Sequence, residues 1–575
     1  METGARRRLA GRILPAVPPL LFLFLFFYLP LLLVFADPAG TGGAGAVPLG
    51  AVVSSPYYRR ILGFTAWQSL VSTLFALLLG LPGAWILGRF RFPGKSFVKS
   101  LTTIPFVLPS ILVVLGFVLF FGNQGHLNRF LMGLLNREEP PLKILYSFRA
   151  VILAHGFYNF PVVMRLVSSA QGQLSRSQHD AARSLGAGGF RLFRTVTLAQ
   201  LLPAILSAAS LVFLFCFMSF AVILVLGGGP RFTTVEVEIY RLARFSMDFP
   251  AAAALGFWGT LCSMALLSAN LFLEGKAGGE RAPGGRREEE PLAPLLKKPR
   301  GLLVLFYLAL AVLLILGPLV SVAVNSFQMR QTRGGDLLWT LKWYRQLTMG
   351  RGSLPSDGVQ VRAVANSLKF ALGTVAAALP LGTLLAFLTV RSRRQALPAP
   401  KARRRKRTLL TGSLLQALFM LPMGVSPVLL GLGYLRLLGD GSLRGSWLAI
   451  VGAHTVIAYP FVIRAVGSSL RNLSSSLDEA AASLGASPLR VLFTVDLPLI
   501  RSGLLAGAAF AFALSLGEIN ATLLLAEPEQ ITIPLAMYRL LGAYQFNGAC
   551  VLGTLLMLLC GAAFWIIDRF EESTW

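Results

Sequence analysis

Residues able to do chemistry are scarce in this chain. The segment Gly88-Arg89-Phe90-Arg91-Phe92-Pro93-Gly94-Lys95-Ser96 has the glycines, lysine and serine of a loop that cradles a nucleotide phosphate. It carries five residues between its glycines where that loop carries four, and it follows an apolar run rather than a strand, so it reads as a basic turn. Cys216, Cys262, Cys550 and Cys560 all fall in apolar runs without CxxC spacing and read as ordinary buried residues, neither disulfides nor metal ligands. No carboxylate pair, His–Glu–His cluster or activated serine or cysteine stands out, which argues against an intramembrane enzyme and against a metal or cofactor held by the chain itself. What remains is a small set of polar residues within apolar stretches: His155, Asn159, His454, Glu518 and Asn520. An ionisable group at membrane depth is costly and usually faces a bundle interior or a water-filled path. Glu518, with Asn159 and Asn520, is therefore expected to line a translocation path and meet a cationic substrate. His155 and His454 are candidates for the same path, but because each half carries one they read better as hydrogen-bonding ties between helices.

The elements that position these residues are membrane spans. The chain has 575 residues, 55% hydrophobic and 14% charged, with mean hydropathy +0.67. A soluble domain averages about 25% charged residues. The net charge of +28 could suggest nucleic acid, yet basic blocks such as Arg403-Arg404-Arg405-Lys406-Arg407 flank apolar runs, where they set orientation and meet anionic headgroups. Runs of about 20 apolar residues, enough to cross a bilayer, occur near 18–36, 62–88, 101–121, 147–169, 201–227 and 250–273, then 302–323, 363–390, 409–437, 447–468, 500–526 and 548–568. The first exceeds the core of a signal peptide and reads as a retained span. The fold class expected is all-α and polytopic, with about twelve transmembrane helices, six per half. Loop 391–408 carries nine Lys/Arg and no acid, and 324–362 is the one basic stretch that falls outside; the balance puts both termini, with the Arg6-Arg7-Arg8 cluster, in the cytoplasm.

The halves repeat. Asp180-Ala181-Ala182-Arg183-Ser184-Leu185-Gly186 returns as Glu479-Ala480-Ala481-Ala482-Ser483-Leu484-Gly485 at an offset of 299, and the same offset pairs His155 with His454, Pro161 with Pro460 and Arg165 with Arg464. Weaker echoes pair Ser69-Leu70 with Ser367-Leu368 and Pro82 with Pro380. An even number of spans per half makes the repeat parallel. The expected organisation is 1–61 for the N-terminal tail, first span and periplasmic loop, 62–273 for the first repeat, 274–300 for a cytoplasmic linker, 301–362 for the seventh span and its loop, 363–568 for the second repeat and 569–575 for a cytoplasmic tail. Each repeated polar segment reads as a short cytoplasmic helix with the acid at its start, turned at Gly186 or Gly485. Its small alanines would admit the groove of another protein.

Asp/Glu-Ala-Ala-x-x-x-Gly, then ten residues on an aliphatic and Leu-Pro, resembles the coupling-loop motif of binding-protein-dependent ABC importer permeases of the type I fold. The resemblance implies two copies of a cytoplasmic ABC ATPase docked on Asp180, Ala181, Ala182, Gly186 and on Glu479, Ala480, Ala481, Gly485. It also implies a periplasmic or lipid-anchored binding protein, ATP and Mg used only by the ATPase, and a bacterial inner membrane. This chain departs from the pattern in having Asp180 for the usual Glu, and Ala199 where the second copy has Pro498. Phe121-Gly122-Asn123-Gln124-Gly125, Ala154 to Pro161, Ser219-Phe220-Ala221, Leu226 to Pro230, Thr233-Thr234 and Ile239-Tyr240 are similar to thiamine importer permeases, with ferric-iron importer permeases next. An ion-coupled secondary transporter is the alternative of another class, and would predict intramembrane acids in both halves.

Overall fold

A computed structural model describes residues 17–36, 49–102, 108–172, 174, 176–227, 229–277, 289–330, 337–349, 359–394, 418–439 and 446–572. The Arg6–Arg8 cluster, residues 103–107 and 409–417 of two expected spans, Gly228, most of the linker, parts of 324–362 and the 403–407 basic run lie outside them. Among the described residues, ten helices are long and apolar enough to cross a membrane. Two further spans are broken: Leu418–Gly424 meets Pro427–Leu438 at 103°, and Leu492–Leu499 meets Arg501–Gly517 at 67°. Ten and two give the twelve expected. The chain is an all-α, multi-pass membrane protein. Pro56–Arg89, at 34 residues, runs about 50 Å at 1.5 Å per residue and so outreaches a hydrocarbon core of about 30 Å at both ends.

The chain divides into two compact units, and neither is a contiguous half. The unit built on the first repeat takes the seventh span. There Pro299–Ser326 lies against Ser110–Phe121, with Gly116 facing the Pro318 backbone and Gly317 facing the Phe120 ring, and Tyr307 Oη donates to Leu79 O at 2.6 Å. The unit built on the second repeat takes the first span. Residues 17–36 pack on Pro427–Leu438, with Gly433 against Pro30 and Tyr434 Oη donating to Phe26 O at 2.9 Å. Glycine against proline is used in both places to bring two spans close.

One sequence pairing is out by a helical turn. Ser69 with Ser367 and Pro82 with Pro380 implies an offset of 298 for Pro56–Arg89 against Val359–Arg394. In the structure Thr65 Oγ1 accepts from Val235 N at 3.0 Å, while Ser367 Oγ accepts from Ile533 N at 2.8 Å. A Cβ on Gly80 would meet Val163 Cβ at 2.6 Å and the Phe160 carbonyl; a Cβ on Gly382 would meet Val462 Cβ at 2.6 Å and the Tyr459 carbonyl. Both comparisons, Thr65 with Ser367 and Gly80 with Gly382, give 302. A shift of four residues leaves nearly the same helix face inward, so apolar periodicity cannot tell the two registers apart.

Candidate functional site

The repeated loop folds twice into the same device. Arg176–Ser184 and Ser475–Ser483 are nine-residue helices. The acid does not start either of them, as expected from sequence, but stands fifth. In the second copy the reason is Ser474, whose Oγ accepts from Ser476 N at 3.3 Å and opens the helix a turn upstream. Both helices end in a left-handed glycine, Gly186 at φ +78° and Gly485 at φ +79°. Ala187 N donates to Ala182 O at 3.0 Å and Ala486 N to Ala481 O at 3.1 Å, the six-to-one bond of a Schellman cap. A residue with a Cβ would strain this conformation by about 1 kcal/mol or more, although a Cβ would meet nothing within 4 Å at either glycine. Asp180 is exposed; the side chain of Glu479 is outside those described.

The cap lifts one apolar side chain into the open in each copy. Leu185 is 87% exposed and Leu484 89%. Sequence reasoning missed them because a leucine beside a helical run reads as a core residue; the signal was the glycine that follows each one.

Each copy then carries a π-turn, Phe193–Thr197 and Leu492–Asp496, again 299 apart. Thr195 Oγ1 donates to Arg191 O at 2.7 Å and Thr494 Oγ1 to Arg490 O at 2.6 Å, so a side chain serves the acceptor in both. Such bulges recur at functional sites. Beyond it the copies part. The first runs unbroken through Gly189–Phe217, while the second bends by 67° after Leu497–Leu499. The bend follows Pro498, the residue that Ala199 replaces in the first copy, and proline cannot donate the helical hydrogen bond.

A family profile described as a binding-protein-dependent transport system inner membrane component matches residues 80–276 and again 396–574. The chain belongs to this family. It is 27% identical to the thiamine transport system permease protein of Escherichia coli (strain K12) over 526 residues, 90% of each chain. With the protein of the same description from Brucella abortus (strain 2308) it shares 29% over 555 residues, 94% of this chain and 92% of the relative. The Haemophilus influenzae counterpart is 25% identical over 536 residues, 92% of both. Each match runs nearly end to end and takes in both repeats of this ABC importer permease family.

His155 and His454 each centre a polar network in the interior of its own unit. In the unit of the first repeat, His155 Nδ1 lies 3.1 Å from Ser72 Oγ and its Nε2 2.8 Å from Ser219 Oγ, tying three segments together. Asn159 Nδ2 donates to His155 O at 2.9 Å and to Cys216 Sγ at 3.5 Å. Gln68 Nε2 reaches Cys216 O at 2.8 Å. Asn159 Oδ1 and Gln68 Oε1 are buried acceptors with no partner among the described residues.

In the unit of the second repeat, His454 Nδ1 lies 2.8 Å from Ser515 Oγ, and Ser515 Oγ lies 3.1 Å from Thr374 Oγ1. His454 Nε2 lies 2.9 Å from Thr522 Oγ1 and 3.4 Å from Glu518 Oε2. Glu518 stands at the end of Arg501–Gly517, where the chain leaves the helix. Its Oε1 accepts from Ala521 N at 2.8 Å, and its Oε2 from Thr522 N at 3.0 Å and Thr522 Oγ1 at 2.7 Å. The carboxylate therefore bridges the break in the span, and Glu518 is only 6% exposed. Asn520 sits in that break, its Oδ1 buried without a partner among the described residues.

A further acid was not anticipated. Glu238, fully buried, accepts from Tyr57 Oη at 3.0 Å and from Arg241 Nε at 2.9 Å. The hydrogen bond that Arg241 donates to Glu238 raises the pKa of its guanidinium above the ordinary value, against the opposing effect of burial. Its sequence signal was the Glu-x-x-Arg spacing of a helical ion pair. Lys95, of the phosphate-loop look-alike, spends its ammonium on Phe90 O and Glu289, each at 2.7 Å.

Proposed function

We propose that the chain is the membrane-spanning subunit of an ATP-driven importer that carries thiamine or its phosphates, delivered by a periplasmic or lipid-anchored binding protein. Two copies of a cytoplasmic ATPase subunit dock on the two capped helices and exposed leucines, burn ATP with Mg, and re-orient the passage through the membrane. This chain performs no catalysis. Both termini lie in the cytoplasm of a bacterial cell, by the charge of the alternating loops.

The observation that carries the coupling role is the duplicated lever: helix, Schellman glycine, raised leucine and π-turn, repeated at one offset. A loop that merely lay on headgroups would need no such repetition. The end-to-end match to thiamine permeases carries the substrate. Glu518, Asn520 and Asn159, with the unpaired acceptors of the first network, are the residues proposed to face a cationic solute; His155 and His454 hold the spans that present them.

The test is uptake of labelled thiamine by cells that lack other thiamine transport and carry this chain with its ATPase and binding protein. Uptake should need all three components and stop with vanadate. Uptake of ferric iron instead would replace the substrate, and uptake without the ATPase, driven by an ion gradient, would overturn the class.

A further inference from the structure

The basic turn that the coupling role leaves unused is part of a clamp. Arg89 donates from Nε and Nη2 to both carboxylate oxygens of Glu290, at 3.0–3.2 Å, while its guanidinium lies 5.6 Å from the Trp85 ring and 5.5 Å from that of Phe90. Lys95 holds Glu289 at 2.7 Å. The backbones join as well. Phe90–Arg91 pairs in parallel with Glu290–Pro291, and Leu292 N donates to Arg91 O at 3.1 Å. Leu292, 3% exposed, then sinks among Ile86, Phe90 and Val304.

Ion pairs this exposed, with Glu290 at 42% and Glu289 at 43%, hold little by themselves. With a strand pair and a buried leucine beside them they fix the last residues of the linker to the end of Pro56–Arg89. That end touches the first lever's root. Gly88 packs so closely on Gln171 that a Cβ would fall 2.8 Å from the Gln171 Cβ. Gln171 O accepts from Leu174 N at 3.2 Å, and Arg176 opens the coupling helix two residues later.

We infer that the linker residues Glu289, Glu290 and Leu292, held by Arg89 and Lys95, brace the first coupling helix, so that these last residues of the linker are a positioning element. Its role in coupling rests on the function proposed above; the brace itself does not. A nitroxide at Ser184→Cys, on a Cys262→Ala background in lipid vesicles, reads the order of the first coupling helix without any ATPase present. A label at Ser483→Cys reads the second in the same way. Opening the clamp with Glu289→Lys and Glu290→Lys together should at least double the mobile fraction at position 184 and leave position 483 unchanged. The charge swap Arg89→Glu with Glu290→Arg should restore the wild-type spectrum that Arg89→Glu alone loses. An unmoved label at 184 with the clamp opened, or equal loosening at 483, would overturn the brace and leave the coupling reading standing. ATPase binding that does not need the levers, with the label results as expected, would sink the coupling reading alone.

Discussion

Leu185→Ala and Leu484→Ala offer the sharpest separation of docking from folding. At 87% and 89% exposure, neither side chain contributes appreciably to the apolar burial of its own unit. If each enters a groove on an ATPase subunit, truncation removes about three carbons' worth of burial, at ~0.8 kcal/mol per CH₂ at most ~2.4 kcal/mol. With 1.4 kcal/mol per tenfold, each single variant should weaken ATPase binding at its own site roughly 10- to 50-fold, allowing for incomplete burial. The double variant should weaken the joint docking of both subunits by the product of the two factors. Stability should move by no more than ~0.5 kcal/mol, the usual range for surface changes. The assay is binding of purified ATPase subunit to the detergent-solubilised permease, read beside a thermal melt of each variant. Wild-type ATPase affinity in the double variant would refute the reasoning, since the leucines would then be resting on headgroups. A large drop in thermal stability would refute it too, by showing that their exposure is not the functional state.

Glu518→Gln keeps one acceptor for Ala521 N but faces Thr522 with an amide that cannot accept. We expect destabilisation of about 2–3 kcal/mol, the difference between charge-assisted and neutral hydrogen bonds plus a stranded donor, visible as a thermal midpoint several degrees lower with reduced uptake; unchanged midpoint and unchanged uptake together would remove Glu518 from both cap and path. Deleting Arg194 or Phe493, the exposed second residues of the two π-turns, should convert each turn to α-helix and rotate the attached lever by about 100°. Transport should fall at least tenfold with the permease still folded, and wild-type transport would show the extra residue to be idle. Glu238→Gln should cost about 1–3 kcal/mol, because it strands part of a buried pair whose arginine can turn to water; a melt unchanged within error would show that the pair is not holding the fold.

How far the sequence reaches depends on which physical signal each feature leaves. Spans are legible because twenty apolar residues leave few other readings, and even the two broken ones were found, though not their breaks. Pro498 marked one break two residues in advance. The other falls between Gly424 and Pro427, where Ser426 Oγ accepts from Val428 N and Leu429 N and starts the second helix on Pro427. The glycines that close the two repeated helices were legible because a left-handed backbone position explains Gly186 and Gly485 so placed. The start of the coupling helix was not, since Ser474 and Ser476 compete as caps and only geometry picks between them. Glu518 is legible in the sequence as an acid inside an apolar run. That its lone pairs are taken up by Ala521 and Thr522 depends on the helix ending at Gly517, and nothing in an apolar run announces that. The exchange of the first and seventh spans between the units leaves no local trace, because Pro30 against Gly433 and Pro318 against Gly116 are contacts between residues hundreds of positions apart.

The two repeats have drifted apart unequally, and the pattern bears on what each part does. On the exposed loops the copies agree in helix length, in the φ of the closing glycine to within a degree, in the exposure of the leucine and in the threonine that bonds back across the π-turn. In the interior networks the histidine is kept but most of its partners are not. His155 meets two serines, whereas His454 meets a serine, a threonine and a carboxylate, and Gln68 and Asn159 have no counterparts in the second network. Lipid contact would impose no such difference, since headgroups tolerate variation on a surface loop. A partner present in two identical copies would impose it, because each copy offers the same groove and each loop must fit it. A solute crossing once meets both interiors and obliges neither to mirror the other. The proposed importer, with a paired motor outside the lipid and a single cargo within, calls for that division of constraint, whereas an ion-driven carrier would call for matched acids in the interior and has no use for matched levers.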